Sequence, residues 1–466
     1  MRQIALVFFV AIAAFKLFAQ DITGQWNGLL KVQGSQLRVV FHVNKTDSGY
    51  ICNMDSPDQG VKGIPASKTS FENTVLRIEV AAGAIRYEGA LTKENQLVGE
   101  FRQSTFSAPL TLTRNIQEKE KAIRPQDPVE PYPNYTEEVR FTNTKDATVL
   151  AGTLSLPKKE GKFPALILIT GSGAQDRNEE LMGHRPFLVL ADHLTRNGIA
   201  VLRYDDRGTA KSTGDFSKAT TPVLATDVEA AINYLLSRKE IDRKKIGLLG
   251  HSEGGIIAPI VTAGRKDVRC IVLMAGTGIR GSELLLLQQE SISRANGQTE
   301  DQISKSRSIN KGAFDLILNA VDEETMNRDL KEYLLQEAGR ALANEKPVGI
   351  SDEELVKMQM EQLTSPWFQY FLKYDPSLVL QKIKCPVLAL NGSKDLQVPA
   401  RVNLSAIKIN LEKGGNNKVT VREYPNLNHL FQECKTGLPN EYGEIQQTIS
   451  PQVLNEISGW ILRQVQ

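Results

Sequence analysis

A serine between two glycines opens the chemistry of this chain. Gly250-His251-Ser252-Glu253-Gly254 reads G-x-S-x-G and follows the apolar run Ile246-Gly247-Leu248-Leu249. The small-residue run Gly255-Ile256-Ile257-Ala258 comes next and is compatible with a helix. A strand that feeds a serine on a sharp turn into a helix holds the hydroxyl clear of the sheet, poised as a nucleophile. Glycine at both flanks leaves room for the turning backbone.

A serine hydroxyl attacks a carbonyl only if a base removes its proton, and that base is usually a histidine held by a carboxylate. The chain has five histidines, so each can be weighed. His42 lies in a strand-rich region remote from the serine in sequence, and His193 lies within an expected helix. His251 adjoins the serine, and its side chain should diverge from the serine's at the turn. His184 sits in a loop where it could line a site. His429, in Tyr424-Pro425-Asn426-Leu427-Asn428-His429-Leu430-Phe431, follows the last expected strand. Loops at the carboxyl ends of parallel strands are where such sites form, so His429 is the expected base. After Asp375 the only aspartate is Asp395, which follows the strand 386–390. Alone it reads as a turn or cap residue. Its place between the serine and histidine loops makes it the expected orienting acid, in the order serine, acid, histidine.

The oxyanion of an acyl-transfer intermediate needs two backbone N–H donors. One is expected from Glu253, next to the nucleophile. The other is expected from the loop Gly171-Ser172-Gly173-Ala174-Gln175-Asp176-Arg177, with Ser172 first and Gly173 second. That glycine-rich turn lacks the Gly-Lys-Ser/Thr of a phosphate loop. Tyr204-Asp205-Asp206-Arg207-Gly208 reads as a loop braced by Asp–Arg pairs, in support of the site. No cluster has metal-ligand spacing, so neither a metal nor a cofactor is expected.

The elements that must position these residues follow from the patterning. Residues 1–20 carry a short basic start and an almost wholly apolar stretch over 4–15, the pattern of a secretory signal peptide cut near Gln20. An exported protein without a stable membrane anchor is therefore expected. The formal charge of +2 falls to zero without Arg2 and Lys16, and no basic block stands anywhere, so nucleic acid is not an expected partner. The spacing of the four cysteines fits no zinc or redox motif, and they read as free thiols.

Residues 21–115 alternate short strands with turns and should form a small β-barrel or sandwich. Residues 116–134 hold four prolines between Pro125 and Pro133 and read as a spacer between domains. From 135 to 466 a starting hairpin is followed by alternating strands and helices. Continuous apolar strands imply a mostly parallel sheet covered on both faces. The alternation is interrupted over 277–375 by helical sequence, which reads as a cap inserted over the strand ends.

At these residues the chain resembles the α/β-hydrolase superfamily over 135–466. Within it the chain is similar to bacterial carboxylesterases grouped with the serine aminopeptidase-like and prolyl-oligopeptidase-like hydrolases. The likeness is carried by the Gly171–Arg177 stretch, Tyr204-Asp205-Asp206-Arg207-Gly208, Gly250-His251-Ser252-Glu253-Gly254-Gly255 and Pro366-Trp367-Phe368-Gln369-Tyr370-Phe371. Many relatives have histidine where Thr170 stands. The resemblance implies an esterase acting on a small-molecule ester. A peptidase or amidase on the same triad, and a binding protein on an inactive hydrolase scaffold, are the alternative expectations.

Overall fold

The computed structural model describes residues 21–32, 35–59, 61–81, 83–103, 106–117, 123–340 and 351–465. The expected signal peptide at 1–20 lies outside the described residues. Among those described, the chain separates into two compact units, one all-β and one α/β.

The all-β unit is a nine-stranded antiparallel sheet. Strands adjacent in sequence pair with each other except Val61–Pro65 and Lys68–Glu72, which are the two edges of the sheet, and the first strand (Gly24–Val32) also pairs with the last (Phe106–Thr113) through Asn27↔Thr113 and Gly28↔Leu112. Alternation places one face inside: along Ile85–Leu91 the residues Ile85, Tyr87 and Gly89 are buried and those between them exposed. Trp26, Phe41, Tyr87 and Phe101 fill this core. Their polar atoms are paired, with Trp26 Nε1 donating to the Ile22 carbonyl at 2.8 Å and the Tyr87 hydroxyl to the Leu97 carbonyl at 2.9 Å.

In the α/β unit, strand β1 (Tyr135–Asn143) runs antiparallel to β2 (Thr148–Leu156) as a hairpin. Next come β3 (Phe163–Ile169), helix α1 (Pro186–Arg196), β4 (Ala200–Tyr204), α2 (Thr221–Ser237), β5 (Ile241–His251), α3 (Gly254–Gly264) and β6 (Val268–Met274). Six more helices separate β6 from β7 (Val387–Gly392): α4 (Gly281–Ala295), α5 (Glu300–Asn319), α6 (Glu323–Arg340), α7 (Asp352–Leu363), α8 (Pro366–Lys373) and α9 (Ser377–Leu380). Helix α10 (Ala400–Lys413), β8 (Val419–Tyr424) and α11 (Pro451–Val465) complete the unit. The strand order is β1-β2-β4-β3-β5-β6-β7-β8. From β4 to β8 neighbouring strands are parallel.

Both faces of this sheet are covered, and β3 shows how. Ala165, Ile167 and Ile169 join the core under α2, α3 and α10, while Leu166 and Leu168 join the core under α1 and α11. Because alternate strand residues point to opposite faces, such a strand must be apolar throughout. The expected α/β-hydrolase sheet, with helices inserted before β7 and an all-β unit ahead of it, is the architecture found.

Helices α4 to α8 have a core of their own around Phe314, Ile317, Leu330 and Phe368. A second small core of Ile256, Leu284, Phe371, Tyr374 and Val398 joins them to the sheet domain.

The proline-rich segment, expected as a spacer between domains, makes contacts of its own. Its described part packs on the α/β unit. The Arg124 guanidinium donates to the carbonyls of Met182, Gly183, Gly443 and Ile445 at 2.8–3.3 Å. Gln126 bonds Ile449 and Thr448, and Asp127 pairs with Arg185. Prolines fix the backbone, but the polar side chains beside them decide where it docks. All four cysteines are unpaired, Cys52 and Cys270 buried and Cys385 and Cys434 half-buried.

Candidate active site

Strand β5 delivers Ser252 to a turn with φ +52°. A residue with a Cβ occupies that region at a cost of about 1–2 kcal/mol, so the surrounding packing must impose it. The Ser252 N–H bonds the Met274 carbonyl of β6 at 2.8 Å, and Gly255 N–H bonds the Ser252 carbonyl at 2.9 Å. A Cβ at Gly250 would stand 1.9 Å from the Gly254 oxygen, and one at Gly254 would stand 2.2 Å from the Ile169 oxygen. Backbone meets backbone at both places, which is why the motif needs its two glycines.

Asp395 lies on the loop after β7 and His429 on the loop after β8. His429 Nδ1 is 2.8 Å from Asp395 Oδ2, and both side chains are all but inaccessible to solvent. Asp395 Oδ1 also accepts the N–H groups of Gln397 and Val398, each at 2.8 Å. The turn role and the partner role therefore fall to different oxygens of one carboxylate. Asn428, fully buried, holds the histidine loop: its Oδ1 accepts the N–H groups of Leu430 and Gln432 at 3.0 Å. His429 Nε2 takes no hydrogen-bond partner among the described residues, and neither does the Ser252 hydroxyl.

An open cavity lies over the serine. Ser172, Ser252 and Glu253 form its floor, Leu284, Leu285 and Gln288 of α4 and Trp367 and Phe371 of α8 its inserted wall, and Ile256, Thr277, Gln397 and Val398 the remainder. The N–H groups of Ser172 and Glu253 donate no hydrogen bond among the described residues, so two unengaged donors belong to residues at the cavity floor.

The loops around this floor are braced by buried charge. Asp205 takes Arg177 bidentately at 2.9 and 2.8 Å, and Asp227 takes Arg207 at 2.7 and 2.7 Å. Thr170 donates to Asp206 Oδ1 at 3.0 Å. Burial pushes the Asp206 carboxyl up to about 8, against the hydrogen bonds from Gln175 and Thr170.

Two features escape a reading of the sequence. The Glu253 carboxyl is buried beside the serine. Its Oε1 accepts from the Thr221 hydroxyl at 2.6 Å and from Trp367 Nε1 at 2.8 Å, linking the Ser252 turn to α2 and α8. Burial raises its pKa against those two hydrogen bonds. The second feature is His251, whose ring turns from the cavity to Glu179. Its position beside the serine was a signal; Glu179 offers none, because nothing in its spacing sets it apart. His184, considered as a lining residue, is instead enclosed by Thr448, Tyr442 and Gln432. His193 bonds Ser458, and His42 bonds Asp55 in the all-β unit.

Residues 146–408 match the X-Pro dipeptidyl-peptidase (S15) family. The chain belongs to this family. It is accordingly a serine hydrolase. Esterase EstD of Thermotoga maritima is 26% identical over 336 residues, spanning 71% of this chain and 70% of that protein. Human acyl-coenzyme A thioesterase 1 is 29% identical over 128 residues, 27% of each chain. A solved Pyrococcus furiosus esterase, Pf2001, superposes with a TM-score of 0.41 at 14% identity, covering 72% of this S15-family chain and 95% of its own.

Proposed function

We propose that this S15-family hydrolase is an exported enzyme that cleaves carboxylic esters through Ser252, His429 and Asp395. The observation that carries the reading is the 2.8 Å contact between His429 Nδ1 and Asp395 Oδ2, made from loops that follow neighbouring parallel strands. Asp395 fixes the ring with Nδ1–H toward the carboxylate, which leaves Nε2 as the base. Ser252 Oγ adds to the ester carbonyl carbon while its proton passes to Nε2. The N–H groups of Glu253 and Ser172 take the developing oxyanion. The C–O bond then breaks, and the leaving alcohol receives the proton. A water deprotonated by His429 releases the acid and restores the serine.

The unengaged donors at the cavity floor support the oxyanion assignment. The apolar walls from Leu284, Leu285, Trp367 and Phe371 support small or medium acyl groups, and the likeness to Esterase EstD supports esters. The apolar stretch at 4–15 supports export. Hydrolysis of p-nitrophenyl acetate and butyrate is the test. Ser252→Ala should lose at least about a thousandfold in kcat, and equal rates for the two proteins would overturn the reading.

A peptidase or amidase on the same triad is the second reading, favoured by the X-Pro dipeptidyl-peptidase character of the family. Turnover of aminoacyl or X-Pro anilides exceeding that of esters would establish it.

A further inference from the structure

His251 precedes the nucleophile, yet neither it nor its partner Glu179 reaches the cavity. Its Nε2 lies 3.1 Å from the carbonyl oxygen of His429, and its Nδ1 lies 2.9 Å from Glu179 Oε1. A carbonyl oxygen can only accept, so Nε2 carries a hydrogen. Glu179 Oε1 already accepts the Gly171 N–H at 2.7 Å, and an oxygen so engaged is best satisfied as a carboxylate that accepts from Nδ1–H as well. The hydrogen-bond pattern therefore places hydrogens on both ring nitrogens. Burial opposes this charge, but the Glu179 carboxylate, its hydrogen bond and the His429 carbonyl together hold the ring above the ordinary histidine range.

Three strands of the proposed machinery meet on this pair. Gly171 begins the oxyanion loop, His251 ends β5 just before the serine, and the carbonyl belongs to the proposed base. A Cβ at Gly171 would lie 3.3 Å from both Glu179 Oε1 and Ser252 Cβ, so the approach is close on every side. The His251 and His429 rings lie 4.9 Å apart between centroids. The charged and titratable groups around His251 are Glu179, His429 and, across the His429 ring, Asp395; Asp206 faces Glu179 from the β4 side. Glu179 itself is held at φ +53°, a backbone conformation imposed by its surroundings.

We propose that Glu179 and His251 form a buried ion pair that positions the catalytic machinery, holding the His429 backbone and the first glycine of the oxyanion loop in register with Ser252. The proposal rests on the triad reading. Both are positioning residues, because their contacts are to the machinery and not to the cavity. Glu179→Gln removes the countercharge, so the buried His251 ring gives up one of its two hydrogens and one nitrogen no longer donates. One of the three ties must then loosen.

Two measurements on the full chain test this. Nitrogen-15 NMR of the histidine rings, with His251 assigned through His251→Gln, should show both His251 nitrogens protonated at pH 7 in the wild type and one bare nitrogen in Glu179→Gln. In ester hydrolysis, Glu179→Gln should lower kcat by about thirtyfold with KM within about threefold, and His251→Gln should do the same. A neutral His251 ring in folded wild type overturns the proposal. So does retention of wild-type kcat by both variants with cooperative melts. If Ser252→Ala is as active as wild type, the triad reading fails, and the ring spectrum still decides the charge state of the pair.

Discussion

At Ser252 a single dihedral angle carries much of the proposed chemistry. A φ of +52° turns the hydroxyl out of the sheet, and the hydrogen bonds on either side of it hold the angle. The residues around the serine are held by charge as much as by packing, which makes stability depend on pH. The His251 ring is held above the ordinary histidine range chiefly by Glu179, against the cost of burial. A group with a raised folded pKa stabilises the fold fully below its unfolded value of about 6.5. That contribution is lost as pH rises through the higher folded value. Thermal melts between pH 6 and 9 should therefore show a decline in wild type that is smaller by about 2–4 °C in Glu179→Gln, the raised Asp206 carboxyl adding a decline of its own to both proteins. Equal pH slopes for the two would remove the ionic account of the pair.

At the scale of elements, α3 shows where a glycine is a contact and where it is only a residue. Its first residue, Gly254, would put a Cβ 2.2 Å from the Ile169 oxygen, while its last, Gly264, would put one in open space. Gly254→Ala should cost about 3 kcal/mol or more and abolish fluorophosphonate labelling of the serine. Gly264→Ala should leave both unchanged or raise stability by up to about 1 kcal/mol. Urea unfolding of the pair checks this, and a tolerated Gly254→Ala would mean that the elbow is less constrained than its contacts indicate. Helix α8 acts at the same scale. Trp367 faces the cavity and donates to Glu253, so one inserted helix both walls the cavity and ties itself to the Ser252 turn.

For the whole molecule, the separation of cores is the governing fact. The all-β unit closes around Trp26, Phe41, Tyr87 and Phe101, and the α/β unit has its own cores on both faces of its sheet. A unit with its own core is able to fold alone. A fragment of residues 123–466 should melt cooperatively and hydrolyse p-nitrophenyl acetate within about threefold of the full chain. Failure to fold would show that the all-β unit is needed for the stability of the hydrolase unit.

Much of this was legible in the chain itself. Apolar runs of strand length, alternating with helical periodicity, determined the parallel sheet, because a strand buried on both faces has no polar option. The spacing of Ser252, Asp395 and His429 determined their order along the sheet, since each follows its own strand; their roles remain to be tested by the measurements above. Tertiary structure alone decided what lies behind them. Glu179 reaches His251 across 72 residues and Trp367 reaches Glu253 across 114. Arg124, in a segment that reads as a spacer, is anchored to carbonyls more than 300 residues away. Hydrophobic periodicity is written locally because each element must bury a face. A buried polar partner is chosen by geometry between elements, and no local pattern records it.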